Sequence, residues 1–196
     1  MLTRDQLLEM FRKSHALLRG HFELSSGLHS GHYFQCAQVL QHPTQAQLIC
    51  REIARRFRAR KITAVIGPAA GGIIVAYETA RALGVRALYA ERVDAEMQLR
   101  RGFTVGKKDR VLIVEDAITT GESARKVAHM LEAFGAKVVG IAAIVDRSRG
   151  HVKLFPGRKF IRLFALAFET FRPEECPLCG EQIPVTRPGR PKKTVL

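Results

Sequence analysis

The chain has 196 residues, enough for one well-buried α/β core and too few for two independent ones. With 46% apolar and 26% charged residues it has the composition of an ordinary soluble domain, and no apolar run reaches the roughly 18 residues that a membrane helix needs. Its 32 Lys and Arg against 18 Asp and Glu give a formal charge of +14, which leaves open a nucleic-acid binder, a handler of phosphate-rich small molecules, or a solvated arginine-rich surface.

The polar start, Met1 to Gln6, leads into an amphipathic pattern and not a signal-peptide core, so the cytoplasm is the expected compartment. Leu7, Leu8, Met10, Phe11 and Leu17 recur at helical spacing and predict a helix over 5–18, ended by Gly20. Residues 21–24 alternate like a short strand, Ser25, Ser26 and Gly27 form a turn, and 32–35 make a second extended piece. Pro43 and Thr44 open a helix running to about residue 60, with Arg51, Arg55 and Arg58 on one face.

A strand–helix alternation follows. Strands are expected at 62–67, 85–90, 110–114 and 138–145, with helices at 71–83 and 121–134, the latter closed by Gly135. Short, continuously apolar strands between amphipathic helices specify an α/β fold, a mostly parallel central sheet covered on both faces. Ligands of such sheets bind beyond the carboxyl ends of the strands. Residues 91–106 are polar and show no periodicity, and they are expected to form a flexible lid over that end. The organisation expected is a single domain over 1–180, with a small hood at about 1–40, a core at about 41–170, and a flexible basic tail at 181–196 that carries Arg187, Arg190, Lys192 and Lys193.

The strongest chemical signal is the run from Val111 to Ser123. A buried strand ends in Glu115 and Asp116, passes through Ala117 and Ile118, and reaches Thr119, Thr120, Gly121, Glu122 and Ser123 as a helix begins. Backbone N–H groups, a helix N-terminus and three hydroxyls in one loop suit a phosphate, and the two acids suit sugar hydroxyls or a metal held through water. The competing reading is a strand end with an N-capping Thr and solvated acids. No Gly-Lys-Ser/Thr is present, so this is not a Walker loop.

These residues resemble the phosphoribosyl pyrophosphate (PRPP) signature of the type I phosphoribosyltransferases: four apolar residues, two acids, a spacer, then T-T-G-x-S. Gly67, Pro68, Ala69, Ala70, Gly71 and Gly72 resemble that family's pyrophosphate loop, one βα unit earlier, where small residues let backbone amides approach an anion. Three further segments resemble the orotate-using branch: Phe22 to Ser30 its amino-terminal hood, Arg100 to Phe103 the return arm of its catalytic loop, and Val145 to Ser148 its strand-end D-R-S. The resemblance covers about residues 5–180. It implies a type I phosphoribosyltransferase fold and transfer of the ribosyl phosphate of PRPP to orotate, with magnesium carried by PRPP and water and no direct protein ligand. It further implies a homodimer whose loop reaches the neighbour's site, with no membrane and no specific nucleic acid as partner. Thr119 would lie at the floor of the base site, Arg147 would meet the orotate oxygens, and Tyr33 and Phe34 would complete that site. A salt bridge to Asp146 is the alternative role for Arg147.

Two departures stand out. Ser25 replaces a lysine common in the hood, and Asp94, Ala95, Glu96 and Met97 occupy the stretch where the loop lysine is expected. Arg92, Arg100 and Arg101 are then the candidate cations beside the leaving pyrophosphate, together with Asp116 as catalytic candidates. A phosphoribosyltransferase-fold nucleic-acid regulator and a purine-using relative remain as alternatives. Cys36, Cys50, Cys176 and Cys179 are too few and too unevenly placed for a disulfide framework. Cys176 and Cys179 form a C-x-x-C knuckle, but zinc takes four ligands and no second pair stands at suitable spacing, so two reduced thiols in a surface loop are expected.

Overall fold

The computed structural model describes residues 2–24, 26–148, 150 and 157–188. Its first helix, α1 (Arg4–Lys13), is opened by a reciprocal cap in which the Thr3 hydroxyl accepts from the Gln6 N–H and the Gln6 side chain accepts from the Thr3 N–H. Ser14 ends it by donating both its N–H and its hydroxyl to Met10 O, and His15 follows at a left-handed φ of 54°. The helix expected to residue 18 therefore stops at Lys13. Leu17 and Leu18 instead begin β1 (Leu17–Glu23), which pairs antiparallel with β2 (His29–Phe34) to form the hood hairpin. A short α2 (Ala37–Leu40) precedes α3 (Pro43–Phe57), whose last turn tightens to a 3₁₀ form over Arg58–Arg60.

The core then runs through β3 (Ala64–Pro68), α4 (Gly71–Leu83), β4 (Arg86–Val93), β5 (Glu96–Leu99), β6 (Arg110–Ile118), α5 (Glu122–Ala133), β7 (Lys137–Asp146) and β8 (Lys159–Ala165). The strands order as β5-β4-β3-β6-β7-β8, and every neighbouring pair is parallel except β4 with β5. Successive strand residues face opposite sides. Val65, Leu112, Val114, Ala142 and Ile144 pack with Ile49, Ile53 and Phe57 of α3 and Val75, Ala76 and Ala80 of α4. Ile66, Val111, Ile113, Ile141 and Ala143 pack on the other side with Ala124, Val127, Ala128 and Leu131 of α5. Truncating one of these fully buried side chains, such as Ile113→Ala, costs about 2–5 kcal/mol.

This arrangement positions the site. The unit β3-α4-β4 winds to one side of the sheet and β6-α5-β7 to the other, so a crevice opens beyond the carboxyl ends of the adjacent strands β3 and β6.

The segment expected as an aperiodic lid is largely a hairpin. β4 continues to Val93, Asp94 and Ala95 turn the chain at φ 47° and 68°, and β5 returns with Met97 buried in the α5-side core. Phe103 then packs edge-on against Tyr89 at 5.1 Å. At the other end, residues 181–188 run along the hood: Thr186 N–H donates to His21 O at 2.8 Å, and Thr186 O accepts from the Glu23 N–H at 3.0 Å. Cys176, expected in a surface loop, is buried at the start of the one-turn α6 (Pro177–Gly180). Ser25 and the tail residues Arg190, Lys192 and Lys193 lie outside the described residues. Among the described residues, no helix is long and apolar enough to cross a membrane.

Candidate active site

At the end of β6 the adjacent acids leave on opposite faces of the sheet. Asp116 turns toward the loop before α4, and a Cβ added to Gly71 would lie 2.4 Å from its Oδ2. Its Oδ1 accepts from the Ala117 N–H at 2.8 Å, yet burial holds its pKa above the usual carboxylate value. Glu115 turns under the first turn of α5. Burial, with Asp116 adding to it, pushes its pKa up to about 8, against the opposing pull of the Ala124 N–H. Its Oε1 is buried with no partner among the described residues. Two carboxyl groups short of positive charge thus stand at one strand end.

Thr119 and Thr120 lie exposed just beyond, Gly121 adopts a φ of 72°, and Ser123 is half-buried in the first turn of α5. The reading in which a Thr caps this helix does not hold: Gly121 is the N-cap and no side chain caps it, although Thr120 Oγ1 accepts from the Glu122 N–H at 3.3 Å. Across the crevice, α4 also starts uncapped, from Ala70. Ala69 N–H donates to Ala90 O, and the Ala69–Ala70 peptide is cis. Gly67 and Gly72 meet so closely that a Cβ on Gly67 would lie 2.2 Å from Gly72 O. Two helix N-termini that lack a side-chain cap at their N-cap residues therefore flank the crevice, the arrangement that attracts phosphate.

Arg147 leaves the end of the next strand, β7, and its N–H donates to Ile118 O at 2.8 Å. Asp146 does not pair with it. That carboxylate accepts from Arg162 of β8 at 2.8 Å and from the Ser148 N–H, in the turn that follows β7, at 2.8 Å. The Arg147 guanidinium lies 5.9 Å over the ring of Tyr33, a hood residue, and burial lowers its pKa. The expectation for Phe34 is corrected by the same hairpin: its neighbour Tyr33 faces the crevice, so Phe34 faces the core, 3% exposed and edge-on to Phe11 at 4.8 Å.

The three lid arginines are not equivalent. Arg101 forms a two-bond pair with Glu91 at 2.9 and 3.2 Å and holds the Glu91 carboxyl below its usual range. Arg92 stands 4.0 Å from Glu122, the residue that opens α5. Arg100 is exposed and has no ion pair with another described residue. Lys126, which the sequence reading passed over, donates to Ala95 O at 2.6 Å and ties the hairpin tip to α5 of the same chain. Only its spacing of four from Glu122 offered a signal, and that spacing is common on exposed helices.

Comparison with known proteins agrees with this geometry. Residues 35–162 match the phosphoribosyl transferase domain. An orotate phosphoribosyltransferase of Pelotomaculum thermopropionicum is 51% identical over 97% of this chain and 100% of its own length. One from Caldicellulosiruptor bescii is 48% identical over 98% of this chain and 100% of its own. Among solved structures, the orotate phosphoribosyltransferase of Aeropyrum pernix superposes with a TM-score of 0.70 at 29% identity, covering 82% of this chain and 93% of that one.

Proposed function

The chain belongs to the phosphoribosyl transferase family, and from that premise we propose that it transfers the phosphoribosyl group of PRPP to orotate, giving orotidine 5′-monophosphate and pyrophosphate. The observation that carries this reading is the convergence on one crevice of two uncapped helix N-termini, the Asp116 carboxylate between them, and an Arg147 guanidinium that has no acidic partner among the described residues. Near-full-length identity to enzymes of that name supports orotate over a purine.

Each residue then has a task. Amides and hydroxyls of Thr119, Thr120, Gly121, Glu122 and Ser123 hold the 5′-phosphate at the positive end of α5, with Ala117 and Ile118 setting the strand end that presents them. Asp116 and Glu115 accept from ribose hydroxyls. Ala69, Ala70, Gly71 and Gly72 bring the α4 amides to the pyrophosphate. Arg147 donates to the acceptor oxygens of orotate, whose planar carboxylate matches a guanidinium fork, and Tyr33 backs that guanidinium. A ring nitrogen of orotate attacks the anomeric carbon as the bond to pyrophosphate breaks, and the proton that this nitrogen gives up passes to solvent. The protein's contribution is positioning and charge stabilisation. The Asp116 carboxylate, which faces the loop before α4, fits a hard divalent cation brought in on the pyrophosphate and held through water. Magnesium bound in this way would neutralise the leaving group.

Arg100, with Arg92 and Arg101, supplies further positive charge beside the leaving pyrophosphate. This reading includes a homodimer in which the β4–β5 hairpin serves the neighbouring site. Ile74 and Tyr77, one turn apart on α4 and 44% and 62% exposed, support an apolar subunit face. Four reduced cysteines are consistent with a cytoplasmic enzyme.

The test is kinetic. Arg147→Ala should raise KM for orotate by at least about tenfold, ~1.4 kcal/mol, while KM for PRPP changes little. Unchanged orotate kinetics in a folded variant would remove Arg147 from the base site.

A further inference from the structure

The hood brings together four metal-type ligands that play no part in the crevice. His21 on β1 and His29 at the start of β2 face Cys176 and Cys179 of the C-terminal segment, and the four ligand atoms lie within 4.8 Å of one another. We propose that these residues form a structural zinc site, one that clamps the C-terminal segment onto the hood.

The distances suit tetrahedral coordination. Cys176 Sγ lies 3.5 Å and Cys179 Sγ 3.7 Å from His21 Nε2, and Cys179 Sγ lies 3.3 Å from His29 Nδ1. Bond lengths of about 2.3 Å to sulfur and 2.0–2.1 Å to nitrogen place sulfur and nitrogen about 3.6 Å apart on a tetrahedron. The two histidine nitrogens are closer, at 2.8 Å, and would open by about half an ångström to reach the corresponding N–N edge.

The tautomer of His21 also suits a ligand. His21 Nδ1 stands 2.7 Å from Ile183 O, and a carbonyl only accepts, so Nδ1 carries the proton and Nε2 presents its lone pair to the cluster. A backbone carbonyl on the far ring nitrogen is the usual second support of a metal-bound histidine. Cys179 and Gly180 N–H both donate to Cys176 O, a tight turn that points the two sulfurs to one side. Two thiolates and two neutral imidazoles would neutralise a divalent zinc, which fits a pocket where His21, His29 and Cys176 are 2%, 6% and 4% exposed. A nitrogen and sulfur set selects zinc over magnesium.

The consequence is mechanical. A two-stranded hairpin is marginal by itself. Here backbone pairs from Phe171 to His29 and from Thr186 to Phe22 lay the segment along the hairpin, and the metal would fasten it. Tyr33, which faces Arg147, is carried on the fastened strand.

The experiment is metal analysis of the purified full chain after passage over chelating resin. The expected result is about one zinc per chain, falling to background in a Cys176→Ser/Cys179→Ser double variant. Should that variant fail to fold, the wild-type chain decides: stripped of metal and given cobalt(II) alone, it should develop tetrahedral d–d bands and thiolate-to-cobalt charge transfer. A chelator should lower its Tm, and zinc should restore it. A chain that retains no zinc and gives no tetrahedral cobalt spectrum overturns the proposal. So does a folded double variant that retains as much zinc as wild type, or a Cys176–Cys179 disulfide in protein purified under reducing conditions.

Discussion

The carboxylate of Asp116 fills the space where a side chain on residue 71 would begin, 2.4 Å from the position of a Cβ on Gly71. The end of β6 and the loop before α4 thus meet at this contact. Gly71→Ala should push that carboxylate off its position and lower kcat/KM for PRPP by at least about tenfold, with only a modest fall in Tm, because the displaced group is a side chain. Gly67→Ala makes a contrasting case. Its Cβ would meet the backbone of Gly72 at 2.2 Å, so thermal denaturation should show a large loss of stability together with the loss of activity. Equal effects on Tm from both variants would contradict this division.

Glu115 predicts a pH dependence. Folding raises its pKa from the ordinary 4.5 to about 8. The fold thus favours its neutral form, and this contribution is complete below 4.5 and disappears as the pH climbs through 8. Glu115→Gln keeps the shape without the titration. Its Tm should gain on wild type across that interval, by an amount on the order of a few kcal/mol of stability, while Asp116 titrates alike in both proteins. Parallel curves of Tm against pH would show that the carboxyl finds compensating charge in solution.

Much of this site was legible because its signals are local. The string from Glu115 to Ser123 and the small residues from Gly67 to Gly72 lie within single βα turns, and continuous apolar strands announced the sheet that joins them. What escaped depends on tertiary contact. β5 is only a short alternation whose Met97 becomes recognisable once α5 covers it. Tyr33 and Phe34 are neighbours on one strand, and alternation allows only one of them to face Arg147 and the crevice. Cys179 and His29 stand 150 positions apart, so no spacing rule for metal ligands links them.

The lid arginines should separate in kinetics. Arg100→Ala should lower kcat by at least about tenfold with a smaller change in KM for PRPP, as expected for a cation used in the transition state. Arg101→Ala removes the partner of Glu91 as well, so it should also change the hairpin's exchange protection. Glu96→Lys should leave turnover unchanged or raise it. Mixed dimers that pair Asp116→Asn with Arg100→Ala subunits should regain activity if the hairpin crosses to its neighbour. Inactive mixed dimers would assign each hairpin to its own chain, where Lys126 already holds it to α5.

The most direct measurement offers the purified protein orotate, adenine and hypoxanthine together, with PRPP and magnesium, and identifies the nucleotide formed. Orotidine 5′-monophosphate and pyrophosphate should form in equal amounts, with no reaction once magnesium is chelated. Formation of a purine nucleotide, or no nucleotide alongside tight and sequence-selective binding to nucleic acid at physiological salt, would contradict it.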